Sequence, residues 1–204
     1  MPTKTYFNLD EEKQKRVYRA VFKEYTRVPL EEVSVKNIVS SADIPRGSFY
    51  NYFIDKEEAL SYLISEIRTK GHKELEDSTS ELQLNIYELM ETLFMGEINK
   101  LKNKEESDRL LLLKQIIKSA KATSMFYNIM TKAILENSIL EKCWDNMDLS
   151  VDSKDLRKSI VDLLFATLRD SIILAIEDEN NIAFSINSFK LKIKIIKSGV
   201  NNLI

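Results

Sequence analysis

The chain has 204 residues, with 30 Lys and Arg against 32 Asp and Glu and a hydrophobic content of 44%, which suits one or two folded domains with a substantial core. Cys143 is the only cysteine, and the opening MPTKTYFNLDEEKQKR lacks the apolar stretch of a signal peptide, so no intrachain disulfide and a reducing, cytoplasmic setting are expected. No apolar run approaches the roughly 18–20 residues of a membrane span. A single histidine, no glycine-rich phosphate loop and no clustered metal ligands leave little from which to build an active site, so no enzyme, cofactor or metal is expected.

Proline occurs three times and never after Pro45, and glycine only four times. A stretch of that length without helix breakers predicts an all-α protein. Residues 1–56 carry 10 basic and 8 acidic side chains, a balance of +2, and the remainder 20 and 24, a balance of −4. This asymmetry is compatible with a positive end set against phosphates and an acidic body held away from them.

Residues 1–8 read as a short mobile arm. Asn8 with Glu11 suggests a capping arrangement for a helix that runs to about Arg27, with Val17, Ala20, Val21 and Phe22 on its apolar face. Pro29 enforces the stop. Ser34 is placed to cap a second helix, on which Val35, Ile38, Val39 and Ala42 share one face. Asp43-Ile44-Pro45 breaks it, and Pro45 is tolerated only where the next helix starts. That helix reads Arg46-Gly47-Ser48-Phe49-Tyr50-Asn51-Tyr52-Phe53. Phe49 and Phe53 turn inward, leaving Arg46, Ser48, Tyr50, Asn51 and Tyr52 on the remaining surface. Two helices joined by a tight turn, the second short and rich in hydrogen-bonding groups, describe a helix-turn-helix whose second helix enters a DNA major groove. A hairpin that merely packs a core has no need of the tyrosines this pattern exposes.

The stretch resembles the DNA-binding signature of the tetracycline-repressor (TetR/AcrR) family. The resemblance rests on Ser34-Val35, Ile38, Ala42, Ile44, the run RGSFYNYF and Lys56-Glu57-Glu58, and it extends over residues 9–56. It departs at Asp43, where the family usually has glycine; Asp also tolerates a left-handed backbone. The resemblance implies an N-terminal three-helix DNA-binding domain over 1–56 and a helical ligand-binding and dimerisation domain over 57–204. By position in the motif it implies Lys36, Arg46, Gly47 and Ser48 as base-edge contacts and Ser34, Tyr50, Tyr52 and Lys56 as phosphate contacts, with Asn51 open to either role.

Beyond Lys56 a helix with Leu60, Leu63, Ile64 and Ile67 ends near Gly71-His72. His72 and Glu76 are four apart, which is too sparse for a structural zinc, and a solvated pair is the reading kept. Three further helices are expected over 82–102, 105–119 and 124–145, then a loop at 147–150. Residues 153–177 and 184–203 read as two final helices. The Glu177–Asn181 turn between them lacks the ligand spacing of a calcium loop. FKLKIKIIK alternates like a strand, but Ile186, Phe189, Ile193, Ile196, Val200 and Leu203 step by 3 and 4, the seam of a packed helix, which Leu191 and Ile195 widen.

The resemblance implies that these two helices pair with their symmetry mates in a homodimer, through Leu156, Ile160, Leu163, Leu164, Ile186, Phe189, Ile193, Ile196 and Val200; the alternative is that one subunit consumes both stripes. It also implies a cavity among the middle helices, where Phe94, Met95, Met125, Phe126, Met130 and Trp144 form an adaptable apolar lining. Core packing explains the same residues equally well. The expected protein is a dimeric repressor released from a pseudo-palindromic operator in double-stranded DNA by a small, largely apolar effector. The alternative is a DNA-binding regulator without an inducer, controlled by a protein partner or by abundance.

Overall fold

The computed structural model describes residues 1–79, 83–103, 108–135, 138–147 and 153–203, with the backbone alone for 71–79, 109, 131–135 and 138–139. Every regular element among them is a helix: α1 Lys4–Phe7, α2 Glu11–Arg27, a 3-10 turn Leu30–Glu32, α3 Val35–Ala42, α4 Arg46–Tyr52, α5 Lys56–Thr79, α6 Ile86–Lys102, α7 Asp108–Ile116, α8 Ala120–Leu135, α9 Ser138–Asp145, α10 Lys154–Glu177, the 3-10 turn Glu179–Asn181 and α11 Ile182–Asn201. None is long and apolar enough to cross a membrane. The helices form two compact units, Met1–His72 with Ser107–Met130, and Lys73–Glu106 with Thr131–Ile204. The all-α architecture is the one predicted by a sequence without proline after Pro45.

The first unit is built on α2, α3, α4 and the start of α5. Val17, Val21, Ile38, Phe49, Phe53, Leu60 and Leu63 are all buried in one cluster, which Leu112, Ile116 and Ala122 of α7 and α8 complete. Two polar contacts fasten the same edge: Ser119 Oγ donates to Glu31 at 2.5 Å, and Lys121 Nζ pairs with Glu57 at 2.5 Å. The amino end differs from the mobile arm expected. Residues 4–7 form a helical turn, and Tyr6 is fully buried within ring contact of Tyr52, Phe53 and Tyr62. A single turn is too short for hydrophobic periodicity to register. Asn8 closes this turn with a helical backbone, so it cannot cap α2; Asp10 does so, accepting from the Lys13 N–H at 2.8 Å. Nor does Gly71 end α5, which continues to Thr79, because one interior glycine costs a helix only about 1 kcal/mol.

In the second unit α6 packs on α10 and α11, and α10 pairs with α11. Asn85 caps α6 in a reciprocal box with Glu88, so the helix starts at Ile86; Leu82 lies outside the described residues. The helix expected over 124–145 begins earlier, at Ala120, and is described as α8 and α9 on either side of 136–137, which lie outside the described residues; α7 ends at Ile116, short of the expected 119. Of the loop expected at 147–150, residues 148–150 lie outside the described residues. The alternating FKLKIKIIK run is helical, within α11. Its Phe189 ring stacks on Phe94 of α6 at 4.1 Å.

Much of the apolar seam assigned to dimerisation is consumed inside the subunit. Ile160, Leu164, Phe189, Ile193, Ile196 and Val200 are buried in this chain alone, and Leu156 and Ile186 are half-buried. Leu163, Phe184, Leu191 and Ile195 are instead 52%, 57%, 59% and 62% exposed. At about 100° per residue, Leu191 and Ile195 fall on the opposite side of α11 from Ile193. They do not widen the buried stripe; they make a second one.

Candidate nucleic-acid interface

The geometry of α3 begins with a buried carboxylate. Glu24 of α2 is 5% exposed. Its Oε1 accepts the Ser34 N–H at 3.0 Å and Asn37 Nδ2 at 3.2 Å, while Arg27 donates from Nε to Oε2 at 3.0 Å and from Nη2 to Oε1 at 2.8 Å. Burial pushes the Glu24 carboxyl up, but the bonds from Arg27, Ser34 and Asn37 outweigh it and hold it below the ordinary glutamate value. Ser34 occupies the cap position of α3, but its hydroxyl makes no capping bond. Glu24 serves that end of the helix from ten residues upstream. No sequence rule aims a carboxylate on one helix at the cap residue of another.

The turn after α3 is a Schellman arrangement. The Ile44 N–H donates to Val39 O at 3.1 Å and the Asp43 N–H to Ser40 O at 3.4 Å. Asp43 sits at φ 50° and ψ 57°, the left-handed conformation that glycine usually supplies here. Pro45 then precedes α4 at φ −59°, the value its ring enforces.

Phe49 and Phe53 are 1% and 0% exposed and anchor α4 to the core. On its other sides Arg46, Gly47 and Asn51 are exposed, Ser48 is half-buried, and Tyr50 is 51% exposed. Lys36 of α3 is exposed and Ser34 half-buried. A β-carbon built on Gly47 would meet nothing within 4 Å, so the fold itself has no need of glycine there. Two candidates stand differently from the sequence reading. Tyr52 is 4% exposed with its ring edge-on to Tyr6 at 6.1 Å, so it is a core residue rather than a surface one. The reason is register: three residues on from Phe49, it lies only about 60° round the helix from that anchor. Lys56 is half-buried, and its Nζ donates to the Val33 carbonyl at 3.2 Å, tying the start of α5 to the start of α3.

The six residues considered for an effector cavity divide between the two units. Met125 and Phe126 of α8 are half-buried against the core of the first, where half-buried Met130 also falls. Phe94, Met95 and Trp144 belong to the second: Phe94 is fully buried, Trp144 is 7% exposed, and Met95 is half-buried. The Arg157 guanidinium lies 5.5 Å from the Trp144 ring. The acidic turn Glu177–Asn181 is exposed throughout. The side chains of His72 and Glu76 lie outside the described residues.

No family model matches the chain, and no curated protein matches it by sequence. Solved structures do resemble it. A TetR family transcriptional regulator from Chloroflexus aurantiacus superposes with a TM-score of 0.51 at 18% identity, covering 98% of each chain. The transcriptional regulator FadR from Bacillus subtilis, in complex with stearoyl-CoA, gives 0.56 at 14% identity over 88% of this chain and 97% of that one. GusR from Salmonella enterica gives 0.58 at 16% identity over 93% and 98%. The chain has the all-α fold of these regulators, with an amino-terminal helix-turn-helix and a helical carboxy-terminal part.

Proposed function

We propose that this chain is a TetR-family transcriptional regulator that binds double-stranded DNA as a homodimer on a pseudo-palindromic operator. The observation that carries this reading is the unit α3–Asp43–α4. Its inner side is anchored by Phe49 and Phe53, while its outer side offers Lys36, Arg46, Gly47, Tyr50 and Asn51 to solvent. In this reading Lys36 and Arg46 reach guanine O6 and N7, Gly47 lets backbone approach a base, and Ser48 contacts a base edge. Ser34 and Tyr50 hold phosphates, and Asn51 serves either purpose. Tyr52 supports the helix from beneath, and Lys56 reaches phosphate only with the donors that Val33 leaves free.

Two such helices on a two-fold axis meet successive turns of the major groove when they lie about 34–36 Å apart. For the dimer contact we assign the exposed apolar side of α11 (Phe184, Leu191 and Ile195) with Leu163 of α10. Selecting bound fragments from the source genome tests the reading directly. Enriched inverted repeats are expected, and Lys36→Ala should relax the preference at one position per half-site. A monomeric protein indifferent to every duplex at low salt would sink it.

An effector that releases the operator must bind the unbound form better than the bound one. A hundredfold release requires roughly 2.7 kcal/mol of such preference. The stearoyl-CoA in the FadR structure makes a long-chain acyl compound a natural first candidate for a largely apolar effector. A second reading, in which no small molecule acts, draws on the packing of Phe94 against Phe189 and of Met125 and Phe126 against a core. Titrating acyl-CoA and other apolar ligands into the operator complex separates the two: release supports an inducer, and its absence at saturating ligand supports control by a partner or by abundance.

A further inference from the structure

The strongest feature left unexplained is the amino-terminal turn. Helix α4 has only seven residues, so the carbonyls of its last turn make up more than half of its acceptors. Phe49 O takes the Phe53 N–H at 2.8 Å. The carbonyls of Asn51 and Tyr52 are met from 48 and 49 residues upstream, both by Thr3: its Oγ1 donates to Asn51 O at 2.5 Å, and its N–H donates to Tyr52 O at 3.0 Å. Thr3 is held in place in turn by Tyr6. That ring is fully buried, 5.4 Å from the Phe53 ring, 5.4 Å from Tyr62 and 6.1 Å from Tyr52. The turn also closes on itself, the Tyr6 N–H donating to Thr3 O at 3.1 Å.

We propose that residues 3–6 are a positioning clamp for the recognition helix, in which Thr3 caps the carboxy end of α4 and Tyr6 bolts that cap to the core. The proposal rests on the DNA-binding reading above and names what sets the pose of its reading surface. Tyr50 and Asn51 belong to the turn that Thr3 holds, so their approach to DNA depends on a residue that sequence analysis would place in a loose arm. Thr3 acts here through the backbone of α4 and is a positioning residue, not a contact.

The test uses the full chain with an operator fragment obtained by selection. Thr3→Val keeps the shape and the N–H bond but removes the hydroxyl donor, and Thr3→Ser retains it. Thr3→Val is expected to lower affinity for operator and random duplex alike, by up to roughly fivefold, the worth of one ordinary hydrogen bond, with Tm lowered by only a few degrees. Thr3→Ser should restore operator binding. Hydrogen exchange without DNA supplies an independent reading: amides from Phe49 to Ile54 should exchange several-fold faster in Thr3→Val than in the parent or in Thr3→Ser. Unchanged exchange overturns the clamp. So does unchanged operator affinity, or a loss that Thr3→Ser shares. If the parent protein binds no duplex, the DNA-binding reading fails while hydrogen exchange still decides the clamp.

Discussion

Packing within the chain does not require a glycine at position 47, where the proposed reading brings backbone close to a base. Space for a β-carbon is open, and alanine is the better helix former by up to about 1 kcal/mol. Gly47→Ala is therefore expected to leave Tm unchanged or slightly raised while weakening operator binding at least several-fold. Parallel melting and gel-shift measurements check both halves, and full binding by the alanine variant would remove the close backbone approach. Glu24 is the opposite case, a residue needed by the fold. Its carboxyl sits below the ordinary value because three partners donate to it despite its burial. The unfolded chain holds the proton more tightly, so the stabilisation is complete above the unfolded pKa of about 4.3 and disappears as pH falls through the lower folded value. Glu24→Gln should thus lower Tm clearly at pH 7, with the gap to the parent narrowing towards pH 3. A gap independent of pH would show that the charge of Glu24 is not what stabilises α3.

Among the elements, α11 carries the sharpest contrast. It is apolar on two opposite sides: Phe189, Ile193, Ile196 and Val200 are buried, and Phe184, Leu191 and Ile195 are exposed. A charge on the first side is buried without a partner, which costs several kcal/mol. Ile193→Asp should therefore lower Tm strongly or prevent folding. Ile195→Asp stays in water in the monomer, so circular dichroism should remain native while light scattering shows a halved mass. A native-mass Ile195→Asp protein would take that side of α11 out of the dimer contact. The Asp43 turn makes a comparable point about α3 and α4, since a left-handed Asp closes the Schellman bonds that glycine ordinarily closes. Asp43→Val should destabilise this junction by about 1–2 kcal/mol, measured by denaturant melts, because a β-branched residue resists that conformation.

At the scale of the molecule the relevant quantity is charge. The net value of −2 does not attract DNA by itself, so in the proposed reading attraction has to come from the basic side chains of residues 1–56, 10 in number. Each phosphate neutralised releases counterions. Operator affinity should fall by at least about tenfold between roughly 50 and 200 mM salt. An affinity insensitive to salt would show that no basic side chain neutralises a phosphate.

The helical class, the position of the helix-turn-helix, the inward pair Phe49 and Phe53 and the left-handed turn at Asp43 were all legible in the sequence. Each depends on local rules: periodicity, proline placement and backbone sterics act between residues a few positions apart. The effector-cavity residues and the buried seam were named but not resolved, because periodicity reports that a side chain is apolar and not what covers it. Only tertiary structure decided that Tyr52 is core, that Ile193 and Ile195 face opposite fates on one helix, that Glu24 holds the start of α3, and that Thr3 closes the end of α4. Those outcomes turn on contacts between residues 10 or more positions apart, where chain separation carries no information about distance until the core has formed.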